Sequence, residues 1–459
     1  MWTSPAVCNA PRSTLTRAPT EDREARAVKN DSTTTALARA RVSARGDRMP
    51  ASPIRRLMPL AEAAKKRGVR ILHLNIGQPD LETPAPMRDR LARYPEKVFA
   101  YSPSGGTPEY LAFLVEYYRR LGIALTPEEI IATTGGSEAI LFAFLACCDQ
   151  GDEVLVVEPF YTNYSAFATM AGVRLVPLGS RVEDGFHLPT RDAWERAVTP
   201  RTRCVLLCNP NNPTGTVYSP AELADVAAFC RDHGLFLVSD EVYREFVYDG
   251  NKTVSALELD GCADFVVVVD SLSKRYSACG IRLGCLVTRN ADVHRAALRM
   301  AQGRLSPPGL AQFVAVGALD LGPEYIAGVV SEYQRRRDVL YEGLRKLPGV
   351  FLTKPEGAFY FVARLPVDDG DDFASWMLTD FQKGGATVMV SPARGFYATP
   401  DLGADQVRIA YVLKEADLRD AVDILAAGLE EYKQSRAVGS HSRPAVSAPD
   451  PDFSLPQGT

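Results

Sequence analysis

Long hydrophobic runs are missing from this chain of 459 residues. Its most apolar stretches, Leu141–Cys148 and Phe265–Val269, fall well short of the ~18 to 20 residues that span a bilayer. Neither a transmembrane segment nor a membrane partner is expected. Blocks of lysine or arginine are absent from the body, and the formal charge is only −4, so no electrostatic footprint for nucleic acid is present. Histidines are few, and His73, His187, His233 and His294 have no mutual ligand spacing, so no metal centre is expected. The nine cysteines contain no C-x-x-C pair. An odd number scattered through apolar segments argues against a disulfide framework and for reduced core thiols in the cytoplasm.

What is present is the balance of a soluble globular protein, 46% hydrophobic and 24% charged, long enough for two domains. Residues 1–48 are rich in Ser, Thr, Ala and Arg without apolar period, and are expected to be disordered. Acidic residues interrupt this leader as a transit peptide, and Met49 has the look of a native start. The polar, Pro- and Ser-rich tail over residues 435–459 is expected to be mobile as well. Between these ends, short apolar strands alternate with helical patterns at 153–157, 173–177, 204–208, 235–239, 265–270 and 285–288. That alternation predicts an α/β fold, a mostly parallel central sheet with flanking helices, whose ligands bind beyond the carboxyl ends of the strands. A helix over about 324–346, followed by strands at 350–352, 358–363, 387–390 and 407–411, predicts a smaller α+β domain. Residues 98–325 are assigned to the large domain, and 49–97 with 326–434 to the small one.

The polar residues just after the strands therefore carry the chemistry. The strand 204–208 runs into NPNNPTG (Asn209 to Gly215), the strand 235–239 into Asp240 and Tyr243, and the strand 265–270 into SLSK (Ser271 to Lys274). An amide, a carboxylate with a phenol, and a lysine flanked by hydroxyls suit a pyridine cofactor. The amine takes the aldehyde, the carboxylate keeps the ring nitrogen protonated, and donors face the ring hydroxyl. The turn TGGSEA (Thr134 to Ala139) offers free amides and a helix dipole to an anion. Arg408 alternates with apolar neighbours on a strand, where an unpaired guanidinium is costly, so it requires a carboxylate.

The segment SLSKRYSACGIRLG (Ser271 to Gly284) resembles the lysine signature of the class I/II aminotransferases throughout its length, with NPNNPTG and SDEVY upstream at similar spacings. The resemblance covers about residues 52–433. It implies the type I fold of the pyridoxal-5'-phosphate enzymes and a homodimer with active sites at the subunit interface. Lys274 resembles the Schiff-base lysine that also moves the substrate proton, Asp240 the partner of the pyridinium nitrogen, and Tyr243 and Asn212 the donors to the ring oxygen. The backbone amides of Ser137 and Glu138, with Ser271, Ser273 and Arg282, resemble the phosphate site. Tyr101 resembles the tyrosine that reaches the neighbouring subunit's phosphate, and Tyr161 the aromatic that stacks on the ring. Arg408, the amide of Gly77 and the side chain of Asn212 resemble the site for the substrate α-carboxylate.

The implied activity is transfer of an amino group between an amino acid, aspartate or glutamate by the branch it resembles, and a 2-oxo acid. Elimination, replacement or cyclisation on an amino acid is the alternative, because the same catalytic residues serve it. A dicarboxylate needs a second cation near the pocket, and Arg304, Arg394 and Arg55 are the candidates.

Overall fold

Strands covered on both faces have no polar side to present, so their sequences run apolar without alternation. In the computed structural model, which describes residues 41–438, such segments build the centre of the molecule. The strands are β1 (Arg70–His73), β2 (Ile130–Thr133), β3 (Glu153–Glu158), β4 (Arg174–Gly179), β5 (Thr202–Cys208) and β6 (Phe236–Asp240). They continue with β7 (Val266–Ser271), β8 (Gly284–Val287), β9 (Tyr360–Arg364), β10 (Ala386–Met389), β11 (Ser391–Pro392) and β12 (Gln406–Ala410). Seven of them form one sheet in the order β2-β8-β7-β6-β5-β3-β4. All its pairings are parallel except those of β8, which runs antiparallel to both neighbours. The expected α/β fold with a mostly parallel central sheet is the fold observed.

Parallel strands need crossover helices, and their boundaries follow from local chemistry. The helix Pro220–His233 between β5 and β6 begins with a reciprocal cap. Ser219 Oγ accepts from the Glu222 amide (3.2 Å) while the Glu222 carboxylate accepts from the Ser219 amide (2.8 Å), worth about 1 kcal/mol. It ends at Gly234, whose φ of 65° suits glycine in the left-handed region. Among the described residues no single helix is long and apolar enough to cross a membrane.

Beside this sheet, β1 pairs with β10, and β11, β12 and β9 form an antiparallel sheet. The helix Pro323–Leu344 packs on the last helix, Glu415–Val438. Two short strands, β1 and β2, carry too little pattern to stand out in the sequence. The strand expected over 350–352 is not formed. Phe351 makes a single bridge to Arg364, because Gly349 turns the chain just before it in a left-handed conformation (φ 78°). The leader expected over residues 1–48 lies mostly outside the described residues, apart from an exposed turn of helix at Ala44–Asp47. The tail expected from residue 435 lies outside them beyond Val438, where the last helix ends.

Behind the loop after β7, charge is buried at high density. Arg275 (2% exposed) pairs with Asp270 and Glu245, and Arg244 pairs with Glu241 at 2.5 Å and with Asp270 at 3.6 Å. Removing the Arg275 guanidinium leaves Glu245 without a cation and Asp270 with Arg244 alone at 3.6 Å, a loss of about 3–5 kcal/mol. Arg275→Met is expected to lower stability by that amount, read as a fall in the urea midpoint at unchanged slope. An unaltered midpoint would show that the network contributes nothing net.

Candidate active site

The pairing registers bring the strand ends to one level. Cys208 of β5 lies opposite Asp240 of β6, and Asp240 lies opposite Val269 of β7. The loops beginning at Asn209, Glu241 and Leu272 therefore emerge side by side. Because β8 runs the other way, its first residue, Gly284, sits between Ser271 and Thr133. That reversal carries Arg282 to the same edge as the helix Gly135–Cys147. The loops enclose a cavity of about 440 Å³.

Asp240 lines this cavity and is 5% exposed. The Tyr164 hydroxyl donates to its Oδ2 (2.6 Å) and the Val242 amide to its Oδ1 (3.3 Å). Burial outweighs both bonds and pushes the carboxyl up to about 6. A carboxyl with a raised folded pKa binds its proton more tightly in the folded state. Its contribution is therefore complete below the unfolded value of 3.8 and is lost as pH rises through about 6. Cofactor-free protein is expected to lose roughly 3 kcal/mol across that window from this one group. Asp240→Asn removes the dependence, so the two proteins' urea midpoints should converge or cross between about pH 4 and pH 6.5. Parallel midpoints would refute the assignment.

Lys274 stands at the end of the next loop. Its Nζ donates to the carbonyl of Gly77 (2.8 Å) and lies 5.9 and 5.7 Å from the ring centroids of Tyr243 and Phe359. Among the described residues no carboxylate reaches it within ion-pair distance. The amine is thus held inside the cavity without an acid to occupy it. Gly77 has a steric reason as well, since a Cβ there would collide with the phenol of Tyr360.

Along the same cavity the elements for an anion converge. Gly135 takes a φ of 74°, and an added Cβ would lie 2.5 Å from Arg282 Nη2. The guanidinium therefore sits directly on the first turn of the helix Gly135–Cys147, whose free amides face outward. The hydroxyls of Ser271 and Ser273 lie 2.8 Å apart beside it. Arg282 itself adopts a left-handed φ of 53°, a strained backbone for a side chain of this size.

Arg408 faces the cavity from β12 and is 2% exposed. Its Nη2 donates to the carbonyl of Asn75 (2.6 Å) and its Nη1 to Asn212 Oδ1 (3.2 Å), while its Nε has no partner. The rings of Tyr360 and Phe396 lie 4.5 and 4.9 Å from the guanidinium. No carboxylate pairs with it among the described residues, and burial lowers its pKa. A desolvated cation with no acid partner favours binding an anion.

Most of the residues singled out in the sequence meet here: Gly77, Ser137, Tyr161, Asn212, Asp240, Tyr243, Ser271, Ser273, Lys274, Arg282 and Arg408 all line the cavity. Burial pushes the Tyr161 phenol up to about 12, so it stays neutral. The Glu138 side chain does not line it but caps its own helix through the Thr134 amide (2.8 Å). Tyr101 lies away from the cavity and is 80% exposed. Of the three candidate cations only Arg55 lines the cavity. Arg304 is engaged with Glu138 (3.1 Å), and Arg394 with Asp369 (2.9 Å), Asp371 and Asp401. Three contributors were not foreseen. Tyr164 holds Asp240, Tyr360 bridges to the Tyr243 hydroxyl (3.0 Å), and the carbonyl of Asn75 holds Arg408.

The family model for Aminotransferase class I and II matches residues 69–425. An aspartate/prephenate aminotransferase of Thermus thermophilus is 32% identical over 368 residues, 79% of this chain and 92% of the relative. An aromatic-amino-acid aminotransferase of Thermococcus litoralis is 31% identical over 390 residues, 83% of this chain and 96% of the relative. Among solved structures, a single mutant of Thermus thermophilus aspartate aminotransferase superimposes with a TM-score of 0.78 at 31% identity. That match covers 85% of this chain and all of the other.

Proposed function

Because the chain belongs to the class I and II aminotransferase family, we propose that the cavity at the strand ends is its active site and that Lys274, Asp240 and Arg408 carry its chemistry. The protein is a fold type I, pyridoxal-5'-phosphate-dependent transaminase acting on an amino acid and a 2-oxo acid. The residues of the cavity fit that cofactor. A buried carboxyl stands at one wall, an amine free of acid partners at another, and a guanidinium on a helix N-terminus at the far end.

Pyridoxal 5'-phosphate supplies an aldehyde that condenses with amines and a ring that accepts the electrons left when the substrate's α-proton departs. Every other task belongs to the chain. Lys274 Nζ would hold the cofactor through its aldehyde carbon and, when freed by the substrate amine, would carry the proton from the substrate α-carbon to that aldehyde carbon, across the nitrogen between them. Asp240 would keep a proton on the ring nitrogen. Tyr243 and Asn212 would donate to the ring oxygen, and Tyr161 would cover the ring's face. The amides of Ser137 and Glu138, the hydroxyls of Ser271 and Ser273, and Arg282 would hold the phosphate, and Tyr101 would extend to the phosphate of a neighbouring copy. Arg408, Asn212 and the Gly77 amide orient the α-carboxylate, which fixes the α-hydrogen relative to Lys274.

The observation that carries this reading is Arg408, a buried guanidinium supplied with a carbonyl and an amide oxygen but no acid. Aspartate and glutamate are the proposed donors. Their test is the visible absorbance of the loaded protein. Loss of the band on adding either amino acid, and its return with 2-oxoglutarate or oxaloacetate, supports the reading. A band that neither acid shifts, with ammonia released from another amino acid, defeats it.

The working form is a homodimer. Val98, Phe99 and Tyr101 are 71, 75 and 80% exposed, an apolar edge that supports coverage by a second copy. We assign 98–325 to the large domain and 49–97 with 326–434 to the small one, supported by the pairing of β1 with β10. A cytoplasmic location is supported by eight free thiols among the described residues.

A further inference from the structure

The cavity is lined by five charged side chains, Arg55, Asp240, Lys274, Arg282 and Arg408. Four have tasks in the reading above, and Arg55 has none. Its guanidinium makes no hydrogen bond or ion pair among the described residues, whereas the adjacent Arg56 is paired with Asp371. The backbone of Arg55 is fixed by a turn in which its amide donates to the Ser52 carbonyl (3.1 Å).

Its neighbours locate it at the Arg408 end of the cavity rather than at the phosphate end. Ile54 packs on the cluster of Val362, Ala393 and Phe396, and Phe396 is one of the two rings beside the Arg408 guanidinium. Pro53 lies against Gly395, where a Cβ would stand 2.5 Å from Pro53 Cβ. The turn is thus docked on the elements around Arg408, and its one free cation, exposed to solvent, stands at the rim of the cavity on that side. An amino acid held there by Arg408 presents its side chain beyond the α-carbon. A planar guanidinium with no protein partner matches a second carboxylate.

We propose that Arg55 binds the side-chain carboxylate of the substrate, making it the residue that selects dicarboxylic amino and 2-oxo acids. This rests on the placement of the α-carboxylate on Arg408. Arg304 and Arg394, with their own acids in reach, take no part. The turn that carries Arg55 leads directly into the helix Met58–Lys66, so selection belongs to the segment just before that helix.

The test is selectivity in the cofactor-loaded enzyme: kcat/KM for aspartate divided by kcat/KM for phenylalanine, with succinate binding measured alongside by calorimetry. Arg55→Met is expected to lower the ratio by about 10- to 100-fold, mainly through KM for aspartate, and to weaken succinate by a similar factor, the scale of one charge-assisted contact. Arg55→Lys should recover part of both, while Arg394→Met should behave as wild type. A ratio and a succinate affinity unchanged in Arg55→Met overturn the role of Arg55 alone. A wild-type enzyme that turns over phenylalanine with no preference for dicarboxylates overturns the aspartate and glutamate reading together with it.

Discussion

Lys274→Ala is expected to reduce turnover by at least about 10⁴-fold, because the upper range of acid–base catalysis alone is about that large and covalent attachment is lost with it. The side chain is suited to removal without collapse. Its Nζ makes one good hydrogen bond, to the Gly77 carbonyl, and a long one to Cys279 Sγ (3.8 Å). The loop is anchored independently through buried Arg275. Unfolding temperature should therefore change little while single-turnover rates vanish. Lys274→Arg separates charge from chemistry. It keeps the cation but has no amine that condenses with an aldehyde at neutral pH, so it should be as inactive as the alanine variant. Activity within about tenfold of wild type in either variant would remove Lys274 from the reaction.

The second large effect concerns Arg408. A carboxylate that meets a buried, desolvated guanidinium is bound strongly, and truncating such a pair costs about 3–5 kcal/mol, or roughly 10² to 10⁴ in kcat/KM. Arg408→Leu should show this loss for every amino acid, in contrast to changes at Arg55. Its effect on folding has the opposite sign. Among the described residues Arg408, at 2% exposure, has no acid partner and its Nε is unpartnered, so in the ligand-free protein its burial opposes folding. Leucine packs beside Tyr360 and Phe396 without that penalty. The ligand-free Arg408→Leu protein is expected to unfold at the same or a higher temperature than wild type. A variant that loses both activity and stability would mean that Arg408 is structural. Arg408→Lys should recover little activity, since a point charge lacks the planar fork that spans both carboxylate oxygens.

The site was legible where it is local. Asp240, Lys274 and the Asn209–Gly215 loop each follow an apolar strand directly, so one reading of strand ends found them. Tyr164 was not found, because it reaches Asp240 from 76 positions away and its own segment reads as an ordinary amphipathic helix. Tyr360 and Tyr243 are 117 positions apart, and the value of Tyr360 lies in its contacts with Tyr243, Arg408 and Gly77, all brought in from distant segments. The Asn75 carbonyl has no sequence signal, since any residue supplies a carbonyl. Arg304 and Arg394 misled for the converse reason, as their acids come from distant elements.

By itself the sequence determined the strands that could lie at the centre, since only β-branched and apolar runs such as Val266–Val269 tolerate burial on both faces. It also placed Asp240, Lys274 and the Asn209–Gly215 loop at the carboxyl ends of their strands. Tertiary structure decided which of those ends lie together and which charges remain unpaired. The antiparallel course of β8 sets Arg282 on the Gly135 turn. The docking of the 52–55 turn against the Phe396 cluster leaves Arg55 free while Arg56 and Arg394 find acids. Whether a charge is satisfied depends on partners brought in from elsewhere in the chain, and no local pattern records that.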